Sequence, residues 1–332
     1  MRIGLLGVGR LGATHAATAA AFPEVTQLRI YDADAERARL VAAPLASAVV
    51  ASTISEALDG VDAAIVVTPT DTHARIIRGC LDAGIPTFCE KPVAIGIAET
   101  KAIVDHVART AGRLQIGFQR RFDAGYQRAR AAIRAGELGT VYSFVMVSCD
   151  RTPPPDAYIA TSGGQFTDQF IHDFDITRWL LDDEVEEITA TGSTVGFATY
   201  EGMKDVGTSA AMMRMRQGAI GLATALRHNE AGYDIHVEIH GGKDTLAIGV
   251  DPRTPWRSVE ADAPAFASPA YPSFHVRFAE AYRAELAHFL RFARGEAENP
   301  CTASDALEAL RIAEAAGRSW REKRTMSLTE IR

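Results

Sequence analysis

The sequence predicts a doubly wound α/β domain over residues 1–117, followed by an α+β domain over 118–332 whose sheet is open and mostly antiparallel. Three observations carry this. Up to Gly117, short apolar runs alternate with helical patterns, the order a parallel sheet with crossover helices requires. The first of those runs leads straight into Gly7-Val8-Gly9-Arg10-Leu11-Gly12. After Phe118 the alternation gives way to one helix, one strand and then, beyond a second helical stretch, a block of strands at 185–194, 208–215, 219–227, 235–240 and 245–249.

A chain of 332 residues can bury two substantial cores, and 47% hydrophobic with 23% charged residues is ordinary for a globular protein. With 35 basic and 42 acidic residues the formal charge is −7. No long basic run interrupts it, which argues against nucleic-acid and anionic-membrane partners. Cys80, Cys89, Cys149 and Cys301 lack paired metal spacing and read as reduced thiols. The apolar start is broken by Gly4, Gly7 and Gly9 and reads as a strand. Neither a signal peptide nor a membrane span is expected, and the default location is cytoplasmic.

Residues 3–6 form the first strand, and an Ala-rich helix follows the glycines through Ala21. A strand at 28–31 then ends at Asp32, twenty residues after Gly12. Strand, glycines, helix, strand and terminal acid in this order predict a dinucleotide-binding Rossmann domain. Gly7 makes the turn, Gly9 lets the backbone approach a pyrophosphate, and Gly12 lets helix and strand pack closely. Arg10 and Leu11, between them, count among the cofactor contacts. Asp32 can accept both adenosine ribose hydroxyls and would repel a 2′-phosphate, so NAD is the expected cofactor. Ala33 offers no positive group, and Arg37 is expected about one helical turn away. The competing reading is a glycine turn with no ligand.

Strands at 46–51 and 63–67, with a short helix at 55–58 between them, continue the sheet. The second strand delivers Thr68-Pro69-Thr70-Asp71-Thr72-His73 to the carboxyl edge, where open α/β sheets bind ligands. Thr68, Pro69, Thr70 and His73 are candidate cofactor contacts. Alternatively, Thr70, Asp71 or Thr72 caps the helix running to Ala83, and His73 is a first-turn residue. A strand at 86–89 brings Glu90-Lys91-Pro92 to the same edge, and a helix at 97–110 and a strand at 114–117 complete the domain. Lys91 there could donate to a substrate oxygen and stabilise alkoxide charge. Pro92, through a cis bond if it adopts one, would aim it. The alternative is an exposed lysine paired with Glu90.

In the second domain a helix at 124–135 and a strand at 141–148 precede a Pro-rich loop at 150–157, read either as flanking the site or as a plain connection. From Gly163-Gly164 a helical pattern runs to Leu181. Asp168 and His172, four apart, would share a face with Asp175 near the same line, while Phe170, Phe174 and Leu181 hold a neighbouring face to a core. A carboxylate and an imidazole so placed suit proton transfer with a substrate hydroxyl. The alternative is a carboxylate serving the helix dipole and a buried, hydrogen-bonded histidine. His236, Glu238 and His240 alternate onto one strand face in a metal-like pattern, but i, i+2 side chains stand too far apart to ligate one ion easily, and no metal is expected. Residues 251–273 are irregular. Helices at 276–294 and 304–323, the second capped by Thr302 or Ser304, are expected to pack back near the first domain.

Gly7-x-Gly9-x-x-Gly12 with Asp32, Thr68-Pro69-Thr70 with His73, Glu90-Lys91-Pro92 and the Asp168 to His172 segment together resemble the glucose–fructose oxidoreductase/inositol dehydrogenase/rhizopine-catabolism (Gfo/Idh/MocA) family over nearly the whole chain. The resemblance implies Lys91, Asp168 and His172 as catalytic residues and NAD or NADP on the Rossmann residues. It also implies Glu90 near the nicotinamide ribose. Five stretches resemble the inositol 2-dehydrogenase branch: Gly117-Phe118-Gln119-Arg120-Arg121-Phe122-Asp123, Pro153-Pro154-Pro155, Tyr158-Ile159 through Ser162-Gly163-Gly164, Ile171-His172-Asp173-Phe174-Asp175, and Gly232-Tyr233-Asp234. Gln119 is counted with the cofactor contacts, and Arg121, Asp156 and Tyr233 with the substrate. Two departures stand out: Ala160 where such enzymes often carry lysine, and Ile235-His236 in place of a Gln-Arg pair.

The expected function is NAD-dependent oxidation of a cyclic polyol, His172 taking the hydroxyl proton, Lys91 stabilising the oxygen and Asp168 orienting the ring. A neutral polyol fits better than a hydroxy acid or sugar phosphate, because Asp168 would repel a substrate acid. Ala160 implies weak affinity for myo-inositol or preference for another stereoisomer. The rivals are a dehydrogenase of another sugar or sugar acid, and a catalytically silent NAD-bound sensor or scaffold. Sheets of this kind often pack face to face within the family, which implies a homo-oligomer, a tetramer or dimer through the second-domain sheet.

Overall fold

The computed structural model describes residues 1–159, 162–260, 262 and 268–331. They form two compact units, one of Met1–Phe122 with Glu280–Glu308, the other of Asp123–Ala279 with Ala309–Arg332. In the first, β1 (Arg2–Leu6), β2 (Gln27–Tyr31), β3 (Ala48–Val50), β4 (Ala63–Val66), β5 (Thr87–Glu90) and β6 (Leu114–Gly117) form an all-parallel sheet in the order β3-β2-β1-β4-β5-β6. The crossovers carry α1 (Arg10–Ala20), α2 (Ala35–Ala42), α3 (Ile54–Leu58), α4 (Thr70–Asp82) and α5 (Ile97–Thr110). The strand order reverses beside β1, which places a crevice at the carboxyl ends of β1 and β4. Helix α2, which the sequence reading passed over, is capped by Asp34, whose carboxylate accepts from the Glu36 and Arg37 N–H groups.

The second unit opens with α6 (Ala124–Arg134) and β7 (Val141–Cys149), then α7 (Asp156–Ile159), α8 (Gln165–Asp168) and α9 (Ile171–Leu181). Next come β8 (Val185–Ser193), α10 (Ala198–Gly202), β9 (Thr208–Met215), β10 (Ile220–Leu226), β11 (Asp234–Gly241), β12 (Thr245–Ile248) and α11 (Phe274–Arg277). The chain ends with α12 (Ala279–Ala293), α13 (Ala303–Glu322) and β13 (Met326–Ser327). The sheet order is β12-β11-β7-β10-β9-β8-β13, with β7 and β10 parallel and every other pair antiparallel. One face is buried by alternate residues such as Phe144, Met146, Ile188, Met213, Ala223, Ala225, Val237 and Ile239. On the other face Met212, Ile220 and Leu222 remain 44–51% exposed.

The last helices are divided between the units. Leu286, Phe289, Leu290 and Ala293 of α12 belong to the same core as Leu5, Ile30, Ile65 and Phe88. Asn299 donates to the Leu114 carbonyl, and the Ile116 N–H donates to the Cys301 carbonyl, lacing the segment after α12 along β6. Thr302 caps α13: its hydroxyl accepts from the Asp305 N–H while the Asp305 carboxylate accepts from the Thr302 N–H. Among the described residues no helix is long and apolar enough to cross a membrane. All four cysteines are buried and outside any disulfide.

Candidate functional site

The cofactor cradle is assembled by the turn from β1 to α1. Gly7 has φ +88°, and a Cβ there would meet the Val67 carbonyl at 2.6 Å. A Cβ on Gly12 would meet the Gly7 carbonyl at 2.1 Å, so helix and turn can approach this closely only with glycine at both places. Gly9 has open space around its absent side chain, which leaves the backbone approachable. It caps α1 with no side-chain acceptor, and no acid lies in the helix's first turn, so the N–H groups around Arg10, Leu11 and Gly12 suit an anion. Asp32 follows β2: its Oδ2 accepts from the Val8 N–H at 2.7 Å and its Oδ1 from the Asp34 N–H at 2.9 Å. These features fit a dinucleotide. Arg37 is closer than expected: α2 starts at once after the Asp34 cap and brings its guanidinium to 3.5 Å from Asp32 Oδ1 and 3.2 Å from Asp34.

At the ends of β4 and β5 the structure sorts the candidates. Thr68 and Pro69 precede α4, which Pro69 caps without a side-chain bond, and Thr70 is its first residue. His73, offered as a cofactor contact, is 2% exposed and its ring nitrogens are already engaged. Nδ1 lies 2.8 Å from the Pro92 carbonyl and Nε2 2.7 Å from the Thr68 carbonyl. Burial pushes its pKa down, against the pull of the two carbonyls. His73 therefore ties the Lys91–Pro92 segment to the end of β4, at the edge where the cofactor is expected. The Lys91–Pro92 peptide is cis, and Lys91 is half-buried at the strand end.

Glu90 faces inward too. Its Oε1 lies 2.8 Å from His15 Nε2 of α1, with both residues buried. The ribose neighbour implied by the resemblance thus has an interior partner. Glu285 of α12 feels the charge of Glu90: it is fully buried, with neither carboxyl oxygen hydrogen-bonded among the described residues. Burial, and then the nearby Glu90, push its pKa well up, which favours the neutral acid. Gln119 and Arg121 lie buried in the 3₁₀ turn Gln119–Phe122. Arg121, the substrate candidate, is 4% exposed, donates to the Pro300 carbonyl at 2.7 Å and pairs with Asp305 at 3.4 Å. Its guanidinium serves the start of α13.

In the second unit the expected continuous helix is two helices. Gly163 and Gly164 have φ of +82° and +86°, and α8 begins on Gly164. The Gln165 carbonyl accepts from both the Gln169 and Phe170 N–H groups, closing α8 before α9 starts at Ile171. Asp168 ends one helix and His172 lies in the first turn of the next, with Gln169 and Phe170 between them still in right-handed helical conformation. The elbow is held by amides. Gln165 donates to Gln169 Oε1 and the Gly207 carbonyl and accepts from Ser209, while Gln169 donates to the carbonyls of Ser148 and Leu226. Asp205 takes the first free N–H of α8. Phe166, Phe170 and Phe174 stack in sequence, as the apolar pattern required, and Asp173 accepts from Ser148.

Asp168 has two partners the sequence reading missed as site residues. Its Oδ2 accepts from Arg227 Nη1 and its Oδ1 from the Tyr158 hydroxyl, each at 2.8 Å. Arg227 is 2% exposed at the end of β10, with Asp150 at 3.9 Å. Burial opposes its charge, and Asp168, Asp150 and Asp205 more than offset that, holding the guanidinium above its usual pKa. The available signal was a lone arginine closing an otherwise apolar strand.

Asp156 is exposed at the start of α7. Tyr233 is buried beside β11, bridged to Tyr271 and edge-on to Phe278. Ala160, whose missing side chain was expected to matter for affinity, lies outside the described residues. His236 is 4% exposed, bound to Asp234 Oδ1 at 2.9 Å and edge-on to Trp256, which donates to Asp234 Oδ2. Among the described residues no group of three His, Cys, Asp or Glu side chains could hold a metal ion.

Comparison with known proteins gives concordant matches. A family model described as "Oxidoreductase family, NAD-binding Rossmann fold" matches residues 1–118, and one described as "GFO/IDH/MocA C-terminal domain" matches 126–247. The chain is 36% identical over 324 residues to myo-inositol dehydrogenase Hyg17 of Streptomyces leeuwenhoekii, covering 96% of this chain and 97% of that one. It is 33% identical over 329 residues to inositol 2-dehydrogenase of Rhizobium meliloti (strain 1021), covering 99% of each. Among solved structures, a myo-inositol dehydrogenase from Corynebacterium glutamicum ATCC 13032 has a TM-score of 0.89 at 33% identity, covering 99% of this chain and 98% of that one. Scyllo-inositol dehydrogenase of Lactobacillus casei, with bound NAD(H) and scyllo-inositol, has a TM-score of 0.88 at 26% identity over 99% of each chain.

Proposed function

This chain belongs to the Gfo/Idh/MocA oxidoreductase family, and from that premise we propose that it oxidises an inositol, or a closely related cyclic polyol, with NAD. The observation that carries the substrate class is Asp168, a carboxylate held by a buried arginine on one oxygen and a tyrosine hydroxyl on the other. An acceptor-only group of this kind suits a ring bearing many hydroxyl donors. Similarity over nearly the full chain to proteins named for inositols supports it.

NAD, when bound on Gly7, Gly9, Gly12 and Asp32, supplies the acceptor for the hydride leaving the carbinol carbon. His172 takes the hydroxyl proton as that hydride leaves. Lys91 donates to the same oxygen and stabilises its developing negative charge. Asp168 accepts from an adjacent ring hydroxyl and orients the ring. Thr68, Pro69 and Thr70 line the cofactor edge, with Gln119 assigned to the same side. Asp156 and Tyr233 are the remaining substrate candidates.

The test is the absorbance of reduced nicotinamide when purified protein meets NAD and myo-, scyllo- or chiro-inositol, beside glucose, xylose and a uronic acid. Turnover of at least one inositol above the sugars is expected. Turnover of the uronic acid alone would leave a dehydrogenase but remove the polyol reading. We further infer a homo-oligomer through the open sheet face, because Leu222 sits opposite Met212 across β9 and β10 and both are about half exposed.

A further inference from the structure

We infer that Arg227 is a positioning residue for this oxidation, the buried cation that keeps Asp168 an aimed carboxylate toward substrate. The inference rests on the proposed role of Asp168 and deepens it. The two oxygens of Asp168 are divided: Oδ2 meets Arg227, which is 2% exposed, while Oδ1 meets the hydroxyl of Tyr158, which is 41% exposed. A substrate hydroxyl therefore approaches the Oδ1 side, while the interior side is held by a charge that does not titrate.

The geometry is fixed twice at one strand end. The Arg227 N–H donates to the Gly207 carbonyl, and the adjacent Leu226 carbonyl accepts from Gln169, the residue after Asp168. Both the guanidinium and the elbow it holds are thus referenced to the end of β10. The groups facing Arg227 are Asp168, Asp150, Asp205 and Tyr200.

Stability alone explains the arginine poorly. Its Nε and Nη2 are buried without hydrogen-bond partners among the described residues, as are the Tyr200 hydroxyl and Asp205 Oδ2. A buried ion pair with unspent donors is often no more stable than an apolar replacement. Holding a neighbouring carboxylate ionised gives the charge a use.

The test compares wild type with Arg227→Met and Arg227→Lys, using initial rates across pH with NAD and the best inositol, and carbon-13 spectra of aspartate carboxyls with Asp168 assigned from Asp168→Asn. In wild type the Asp168 signal is expected at the carboxylate position at pH 6. Arg227→Met should lose at least about tenfold in kcat with KM for NAD unchanged, and a second ionisation, absent from wild type and still present when His172→Ala is added, should enter the acid limb of its profile. Arg227→Lys should restore the limb. A profile unchanged in Arg227→Met, with only a lower Tm, would overturn the inference. So would a neutral-acid signal for Asp168 in wild type, which decides the matter even if Arg227→Met does not fold. Should wild type oxidise no polyol, the functional reading fails, while the carbon signal still judges the pairing.

Discussion

Arg37 Nη1 lies 3.5 Å from Asp32 Oδ1, so the acid expected to reject a 2′-phosphate carries a cation beside it. In wild type Asp32 engages Arg37 and repels added phosphate charge, and NAD should be preferred over NADP at least about tenfold, roughly 1.4 kcal/mol. Replacing Asp32 with Ala leaves Arg37, half exposed and then paired with Asp34 alone, able to meet that phosphate. Asp32→Ala should therefore invert or abolish the preference, measured as the ratio of kcat/KM for the two cofactors. Equal efficiencies in wild type would contradict the assignment of Asp32.

The proton's destination gives a second prediction. Alcohol oxidation needs a neutral imidazole, so turnover should rise with pH through one ionisation that disappears in His172→Ala. That variant should lose on the order of 10²–10⁴ in turnover while binding NAD nearly as wild type. Near-normal turnover would place the base elsewhere.

Glu285 gives a prediction about stability. Its folded pKa is raised above the ordinary 4.5 by burial, so its favourable contribution is complete below the unfolded pKa. Above pH 4.5 the unfolded chain releases a proton that the folded chain keeps, costing about 1.4 kcal/mol per pH unit until the folded group also ionises. Glu285→Gln removes that dependence. Its urea midpoint should match wild type near pH 4.5 and exceed it increasingly toward pH 8. A constant difference across that range would mean that Glu285 is ionised in the fold.

The open sheet face supplies a fourth prediction. Replacing Met212 and Leu222 together with Glu puts like charges directly across two strands and on any copy packed there. Light scattering should show a smaller assembly than wild type, with far-ultraviolet circular dichroism unchanged. An unaltered mass would move the interface to another surface.

What could be read from the sequence divides along one physical line. The Gly7 to Gly12 turn and Asp32 were legible because glycine at a left-handed or crowded position is a local backbone demand, readable without knowing what packs nearby. The sheet strands were legible by apolar continuity. Not legible were the interior partners of the candidate side chains. His73, Glu90 and Arg121 are each buried against groups distant in sequence: Pro92, His15, and Pro300 with Asp305. The break between the helices carrying Asp168 and His172, where the Gln165 carbonyl accepts from both Gln169 and Phe170, has no sequence signal of its own. Arg227 finds Asp168 only through β10, a pairing no local pattern encodes.

The division of the first unit into Met1–Phe122 and Glu280–Glu308 bears on how the protein is made. Translation delivers the sheet first and the second unit next. Only then do Leu286, Phe289 and Leu290 emerge, which the first core requires. Until they arrive, that core is incomplete, the Phe88 ring lacks its Phe289 neighbour, and the nascent half is exposed to chaperones and proteases. Cofactor affinity is therefore a property of the released polypeptide: a ribosome-bound chain stopped before Glu280 should not retain NAD.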